Sequence, residues 1–485
     1  MTTSDSDTIS AEAATEAPTQ QPSQNRKQPF PRGFLDTIST GWADRPEQTS
    51  PQRAHAPFAA ARRDAVSAAF PGRRLVIPAG SPKQRSNDTD YPFRAHSAFA
   101  HLTGWGSDAV ADSVLVFEPR SDAASGHDVT LYLRERADRT TAEFYGDATI
   151  GEFWIGPRPA LCGVAADLGV TTAHLDAFES RAGDILLDDD EELTRFVSEL
   201  RLVKDEYEIA QLRLAVEVTA RGFDDIVASL PRIIATPRGE RAVEGVFHHR
   251  ARTEGNGEGY DTIAASGPHA CYLHWTRNDG AVVPGDLLLI DAGVEVDSLY
   301  TADITRTLPV AGTFTDVQRK VYETVREAAD AAFAAAGPGV KFRSVHEAAM
   351  AVIAQRVAEW GLLPVTAEEA LDADRGGQHR RYMVHGTSHH LGIDVHDCAQ
   401  ARREMYYDGI LAPGMVFTIE PGLYFQIDDL TVPAEYRGIG VRIEDDVLVT
   451  GTGVENLSAA IPRTADEIEA WIARLRPLAL AGEPS

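Results

Sequence analysis

Apolar positions along this chain follow first one period and then another, and the changes mark its elements. AARRDAVSAAF, ending at Phe70, carries its apolar residues at helical spacing. RLVIPAG after it predicts a short buried strand closed by Pro78 and Gly80. SVLVFEP and DVTLYLR predict two more strands, with Val, Leu and Tyr at strand-like positions. GVTTAHLDAFESRAG and DEELTRFVSELRLV predict helices. Between the first two strands, SPKQRSNDTDYPFRAHSAFAHLTGW mixes polar and aromatic residues, a candidate binding surface. Upstream, residues 1–52 are rich in Ser, Thr, Gln, Pro and Glu and poor in large apolar side chains. Such a segment cannot offset its ordering entropy by burial, which predicts disorder. Residues 53–203 then form a mixed α/β domain. A new helix starts at Asp205, which with Glu208 three residues on has the shape of a capping box. Ile209, Leu212, Ala215, Val216 and Phe223 recur behind it at helical spacing, and a second domain runs from there, residues 204–475.

An echo runs through that second domain. PGDLLLIDAG (Pro284 to Gly293) aligns without gaps on PGMVFTIEPG (Pro413 to Gly422). Each predicts a turn and a buried strand whose last side chain is an acid, Asp291 in one and Glu420 in the other. Each copy has helices upstream, in RAVEGVFHHRAR and RSVHEAAMAVIAQRVAEW. Each has an acidic strand downstream, in TADITRTLPV and GVRIEDDVLV, adding Asp303 and Glu444. Two similar α-plus-β halves facing one another would bring four carboxylates to one place.

Composition narrows the partners. The chain has 485 residues, 46 basic and 73 acidic, for a net charge of −27. Nucleic acid and anionic membrane both call for a basic footprint, so neither is expected as a partner. No apolar run approaches the roughly 20 residues of a membrane span. The first residues hold no apolar core segment of the secretory kind. Cys162, Cys271 and Cys398 are too few and too scattered for a disulfide framework and read as free thiols. The expectation is a cytoplasmic protein.

The chemistry concentrates in VHGTSHHLGIDVHD, Val384 to Asp397. It packs His385, His389, His390 and His396 with Asp394 and Asp397 into fourteen residues. Imidazole is the commonest protein metal ligand and the usual proton shuttle near pH 7. A carboxylate is costly to bury unless paired or metal-bound. Any one of these acids is explained by pairing, with Arg306 or Arg442 as partner. Four acids and a histidine motif in two related halves favour a metal site. Oxygen ligands with one imidazole suit Mn²⁺, Co²⁺, Zn²⁺ or Fe²⁺ better than a thiolate-type structural zinc. Four carboxylates balance two divalent cations, and such a pair supports metal-assisted hydrolysis.

These residues carry a family likeness. The second domain resembles the creatinase/prolidase/aminopeptidase P family, whose catalytic domain has the pseudo-two-fold pita-bread fold. The resemblance implies an α/β protein with that domain behind a mixed α/β amino-terminal one. It implies five metal ligands: Asp291 in LIDAG, Asp303 in TADITRT, His389 in HGTSHHLG, Glu420 in TIEPG and Glu444 in VRIEDD. Asp303 and Glu444 would bridge two ions, manganese foremost. Asp291 would hold one, and His389 with Glu420 the other, with Glu420 also shuttling the proton. Tyr260, His274, His385, His396 and Arg442 match the family's supporting residues. His396 and His274 would contact the substrate or its developing oxyanion, and His385 would shape a proline pocket. RSNDTDYPFRAHSAFAHLTGW looks like the aminopeptidase P amino-terminal domain, with Asp88 placed to help receive a peptide N-terminus. Subunit contacts in that group imply a homodimer or homotetramer. His390 has no counterpart role, and Cys271 and Cys398 read as buried thiols. Asp291 and Asp303 stand one residue further apart than the family pattern. Strand side chains alternate, so the hairpin must absorb the extra residue, and DSLY is where.

The activity implied is release of the N-terminal residue from peptides with proline second. A prolidase restricted to Xaa-Pro dipeptides is the alternative within the class. Creatinase works without metal and need not keep these ligands, and methionine aminopeptidase lacks so large a first domain. A non-catalytic pita-bread module that binds histones or other proteins would be expected to have lost ligands, whereas all five are present here.

Overall fold

The computed structural model describes residues 30–45, 51–87, 89–120 and 126–481. It divides into two compact units. The smaller takes Met1–Glu47, Pro82–Phe93 and Arg136–Arg158, and the larger takes Gln48–Ser81, Arg94–Glu135 and Pro159–Ser485. In the smaller unit a helix spans Arg32–Ile38, inside the stretch expected to be disordered. Its composition is locally different. Phe30 and Phe34 stack with ring centroids 4.7 Å apart, and both meet Tyr145 edge-on. That cluster supplies the apolar surface which residues 1–52 as a whole lack.

The larger unit opens on a mixed sheet of β1 (Leu75–Pro78), β2 (Val114–Pro119), β3 (His127–Leu133), β4 (Thr171–His174) and β5 (Ile185–Leu186), in the order β4–β3–β2–β1–β5. The first three are the strands the sequence predicts. β4 is a correction, because GVTTAHLDAFESRAG was expected to be helical. Gly169, with φ +60°, ends the preceding helix, and the β-branched pair Thr171–Thr172 then favours an extended edge paired parallel to β3. A short helix, Ser97–Thr103, lies in the polar and aromatic stretch between β1 and β2.

Helix α1 (Glu206–Ile234) starts with the expected capping box between Asp205 and Glu208. With α2 (Gly239–Glu254) it backs a sheet of β6 (Ile263–Ser266), β7 (Leu287–Ala292) and β8 (Ile304–Pro309), ordered β8–β7–β6. Helices α3 (Asp316–Ala335) and α4 (Arg343–Glu359) precede the second half. Its strands are β9 (Val416–Ile419), β10 (Gly422–Tyr424), β11 (Gly440–Arg442), β12 (Asp445–Val449) and β13 (Val454–Asn456). β9 pairs with β12 and β10 with β11, both antiparallel and in one continuous register.

The sequence echo is thus structural. Gly285 and Gly414 both take positive φ, +104° and +92°, the left-handed turn that glycine allows without a Cβ penalty. The two strands behind them, LLLI and VFTI, are buried throughout. Burying each large apolar side chain contributes roughly 1.5–3 kcal/mol. One continuous core runs from Leu212 on α1 through both sheets to Trp471 near the carboxyl end. That rigid frame fixes where the acids at the strand ends point.

Candidate active site

Asp291 is near the end of β7 and faces Thr305 across the ladder to β8. Asp303 stands two residues before Thr305. Strand side chains alternate, so Asp291, Thr305 and Asp303 share one face. The continuous register of the second half sets Glu420 opposite Glu444. The histidine motif runs beside β9: Thr418 N–H donates to the His389 carbonyl at 2.9 Å, and Glu420 N–H to the Thr387 carbonyl at 2.9 Å. The result is a cavity of 530 Å³ lined by Asp291, Asp303, His389, Glu420, Glu444, Tyr260, His274, His385, His396 and Arg442. Every expected site residue among those described therefore meets here. Asp88 lies outside the described residues.

The extra residue between Asp291 and Asp303 is absorbed in the loop. Val296 N–H donates to the Tyr300 carbonyl at 3.0 Å, and Leu299 N–H to the Val296 carbonyl at 2.7 Å. Asp297, Ser298 and Leu299 form a three-residue connection closed by Leu299 in the left-handed region, φ +70°. The strands keep one register up to this loop, so Asp303 is not turned away.

The acids are crowded. Tyr260 OH donates to Asp291 at 2.7 Å and also to Asp303. Arg442 bonds Asp291 through Nη2, Thr305 through Nε at 3.0 Å and Tyr424 through Nη1 at 3.2 Å. Thr305 in turn donates to Glu444 at 2.7 Å. His389 Nε2 lies 3.3 Å from Asp303 and 3.6 Å from Glu420. Burial raises Glu420 to about 7, with Asp303 and Asp291 adding to the rise and His389 and Arg442 opposing it. Burial, then Asp303, Glu420 and Asp291, hold Glu444 well above the usual carboxylate range. Asp303 is raised too, by burial and then by Asp291 against the bond from His389. His389 moves to about 9: burial alone would lower it, but its bond to Asp303 and the charge of Glu420 outweigh that. Such a cluster of buried acids lacks cationic charge.

A divalent metal fits that deficit. Asp303, His389 and Glu444 each present a ligand atom, all within 4.8 Å of one another. Asp291 and Glu420 stand beside them with further carboxylate oxygens. Oxygens with one imidazole nitrogen are the donor set of a hydrolytic metal site. Of the two arginines considered as structural partners, Arg306 pairs instead with Asp445 at 2.7 Å, and Arg442 holds Asp291.

His385 and His396 stay neutral near pH 7. Burial and Arg442 lower His385 to about 3, and its Nε2 lies 2.8 Å from Tyr424 OH. Burial, His389 and His274 lower His396 to about 4. His274 and His396 are exposed at the cavity, while Ile263, Leu273 and Val395 give it apolar wall. His390 is buried against Phe342 and Tyr406, away from the acids. Cys271 and Cys398 are buried free thiols, and burial raises Cys271 to about 12. Thr305 and Tyr424 went unnoticed in the sequence. Thr305 carried a signal, since strand alternation from Asp303 places it on the same face. Tyr424 carried none until its partners were known.

A two-half α/β fold whose facing strands deliver carboxylates and an imidazole to one cavity is the architecture of a metallopeptidase. The chain belongs to metallopeptidase family M24, matched by residues 210–451, and residues 59–193 match the aminopeptidase P N-terminal domain. Its catalytic domain is accordingly the pita-bread fold. It is 50% identical over 484 residues to Xaa-Pro aminopeptidase 1 of Streptomyces coelicolor, covering 94% of this chain and 96% of the relative. It is 33% identical to the Xaa-Pro aminopeptidase of Escherichia coli, covering 86% of this chain and 98% of that one. Among solved structures, aminopeptidase PepP of Pseudomonas aeruginosa superposes with a TM-score of 0.73 at 30% identity, covering 87% and 98%. Zinc-substituted E. coli aminopeptidase P in complex with product superposes with a TM-score of 0.73 at 30% identity, covering 88% and 100%.

Proposed function

We propose that this protein is a dinuclear Xaa-Pro aminopeptidase, releasing the N-terminal residue from peptides whose second residue is proline. One observation carries the reading: ten residues from both halves of the fold, four acids, four imidazoles, an arginine and a tyrosine, converge on a single 530 Å³ cavity. The likeness to Xaa-Pro aminopeptidases along nearly the whole chain supports it. Two divalent ions, manganese foremost, would be held by Asp291, Asp303, His389, Glu420 and Glu444 and would supply Lewis acidity and a lowered pKa for water.

The chain's own groups do the rest. Glu420 takes a proton from the attacking water on a carboxylate oxygen and delivers it to the proline nitrogen, which leaves. Neutral His396 offers one N–H, and His274 another, to the scissile carbonyl as negative charge develops there. A proline in second place makes the scissile bond a tertiary amide with no N–H. His385, with apolar Leu273 and Val395, receives the ring in place of that hydrogen bond. The free amine is met by Asp291. Arg442 orients Asp291 through its Nη2. A cytoplasmic location and a homodimer or homotetramer belong to the same reading.

The test is steady-state cleavage with Mn²⁺. Xaa-Pro-Yaa peptides should be cut after the first residue. Replacing proline by alanine, or acetylating the amine, should lower kcat/KM roughly 100-fold or more. Equal turnover of the alanine peptide sinks the proline reading, and activity confined to dipeptides makes the protein a prolidase.

A further inference from the structure

Glu240 is a fully buried carboxylate, 0% exposed, in the first turn of α2. The described residues place no lysine or arginine against it. Four donors satisfy it instead. Ser266 N–H reaches Oε1 at 2.8 Å and His269 Nδ1 reaches the same oxygen at 2.7 Å. Trp275 Nε1–H reaches Oε2 at 3.0 Å and Gly280 N–H reaches it at 2.6 Å. A carboxylate only accepts, so His269 presents its proton on Nδ1. All four donors come from the end of β6 and the loop after it, residues 266–280, and that loop carries His274 into the cavity.

The loop is built around this acid. His269 stacks on Trp275 with centroids 3.9 Å apart. A Cβ on Gly280 would meet Glu240 Oε2 at 2.7 Å, so the backbone can approach the carboxylate only without a side chain there. Glu240 N–H returns a bond to the Gly280 carbonyl at 3.1 Å. One turn on, Glu244 accepts from Asn278 at 2.9 Å, and Asn278 ties the loop to β6 through Ala264 N–H and the Thr262 carbonyl. On the other side of His274, Gln426 holds the Cys271 carbonyl at 2.8 Å. The His274 ring itself has no hydrogen bond within the described residues, so its place is set by its backbone. The nearest anchor is Trp275, one residue away.

We propose that Glu240 is a positioning residue for His274, fixing an exposed imidazole at the cavity by clamping the loop on both sides of it. This rests on the reading of His274 as a substrate-contacting group. Buried and fully satisfied, the clamp is rigid. Glu240→Gln keeps the shape but turns an NH₂ toward two of the four N–H donors, which loosens the loop without opening a cavity.

A double-mutant cycle in the metal-loaded enzyme tests this. Glu240→Gln should lower kcat on an Xaa-Pro-Yaa peptide roughly 10- to 100-fold, as misplacement of a reacting contact does. KM and metal content should stay within about twofold of wild type, on that same view of a contact made in the transition state. In a His274→Ala background the same change should cost less than about twofold further, since the clamp then has nothing to place. An unchanged kcat for Glu240→Gln, or its full effect persisting in the His274→Ala background, overturns the proposal. His274→Ala with unchanged kcat overturns the reading of His274 itself, and the single variant reveals that separately. Trp275→Phe removes one donor and keeps the stacked ring. It gives the same two comparisons if Glu240→Gln does not fold.

Discussion

Four carboxylates share the cavity with the Arg442 guanidinium and the His389 imidazole, and Asp303 is the acid most entangled with the others. Its carboxylate meets Tyr260 and His389, and its charge helps raise both Glu420 and Glu444. Asp303→Ala removes one corner of the only group of three ligand atoms within 4.8 Å found among the described residues. Metal content should fall, and activity should drop at least about 100-fold, since losing even a supporting partner of a ligand costs 10–100-fold. Metal analysis with steady-state rates decides it, and full activity with full metal content would remove Asp303 from the site. The acids and histidines were legible in the sequence because buried strands rarely end in carboxylates without a reason. Thr305 and Tyr424 were less so. Each is an ordinary strand residue until register brings Glu444, Arg442 or His385 against it.

At the scale of elements, the β7–β8 hairpin was readable in its strands and in the place of its extra residue, but not in its loop conformation. Alternation placed the extra residue in DSLY, and the structure shows Asp297–Ser298–Leu299 as the connection that takes it. The reason is a non-glycine residue in a left-handed conformation, which pattern alone does not anticipate. Leu299 is 0% exposed, so its burial offsets the roughly 1–2 kcal/mol cost of that backbone. Replacing the three residues by Asn-Gly makes a two-residue turn and leaves Asp291 facing Thr305. The swap also removes the bond from Ser107 N–H to the Asp297 carbonyl and the one from Ser298 to Gln211. Activity should persist with stability lowered by about 1–3 kcal/mol, the buried leucine outweighing the relieved strain. An alanine inserted after Ala292 instead shifts the strand by one and should abolish activity. Comparable activity from both variants would mean that register does not position Asp303. The β4 error has the same origin: tertiary pairing with β3 decided a segment whose own pattern was thin.

Within the larger unit, charges read in the sequence only as a total of −27 turn out to be sorted by burial. Arg62, from the helix Ala56–Ala69, and His101, from Ser97–Thr103, both lie 3.3 Å from Glu208 at the start of α1. Tyr300 OH adds a bond at 2.9 Å. Arg201 and Lys204 hold Asp397 at 2.9 and 3.1 Å, next to His396. No spacing rule marks which of 73 acids are paired this way, because the partners are brought together only by the fold. Burial would raise Glu208, but His101, Arg62 and Lys204 bring it from 4.5 down to about 2. Asp397 is likewise held below its ordinary range, burial being overcome by Arg201 and Lys204. A carboxylate with a depressed folded-state pKa stabilises fully above its unfolded value, and that stability is lost as pH falls through the folded one. For Glu208 the window runs from pH 4.5 down to about 2. Urea midpoints should therefore hold between pH 7 and 5 and fall steeply toward pH 3. Glu208→Gln should be less stable than wild type at pH 7 and show a shallower decline between pH 5 and 3. A wild-type midpoint that stays level down to pH 3, or a Glu208→Gln variant with an undiminished acid slope, would show that this buried cluster does not govern the molecule's stability in acid.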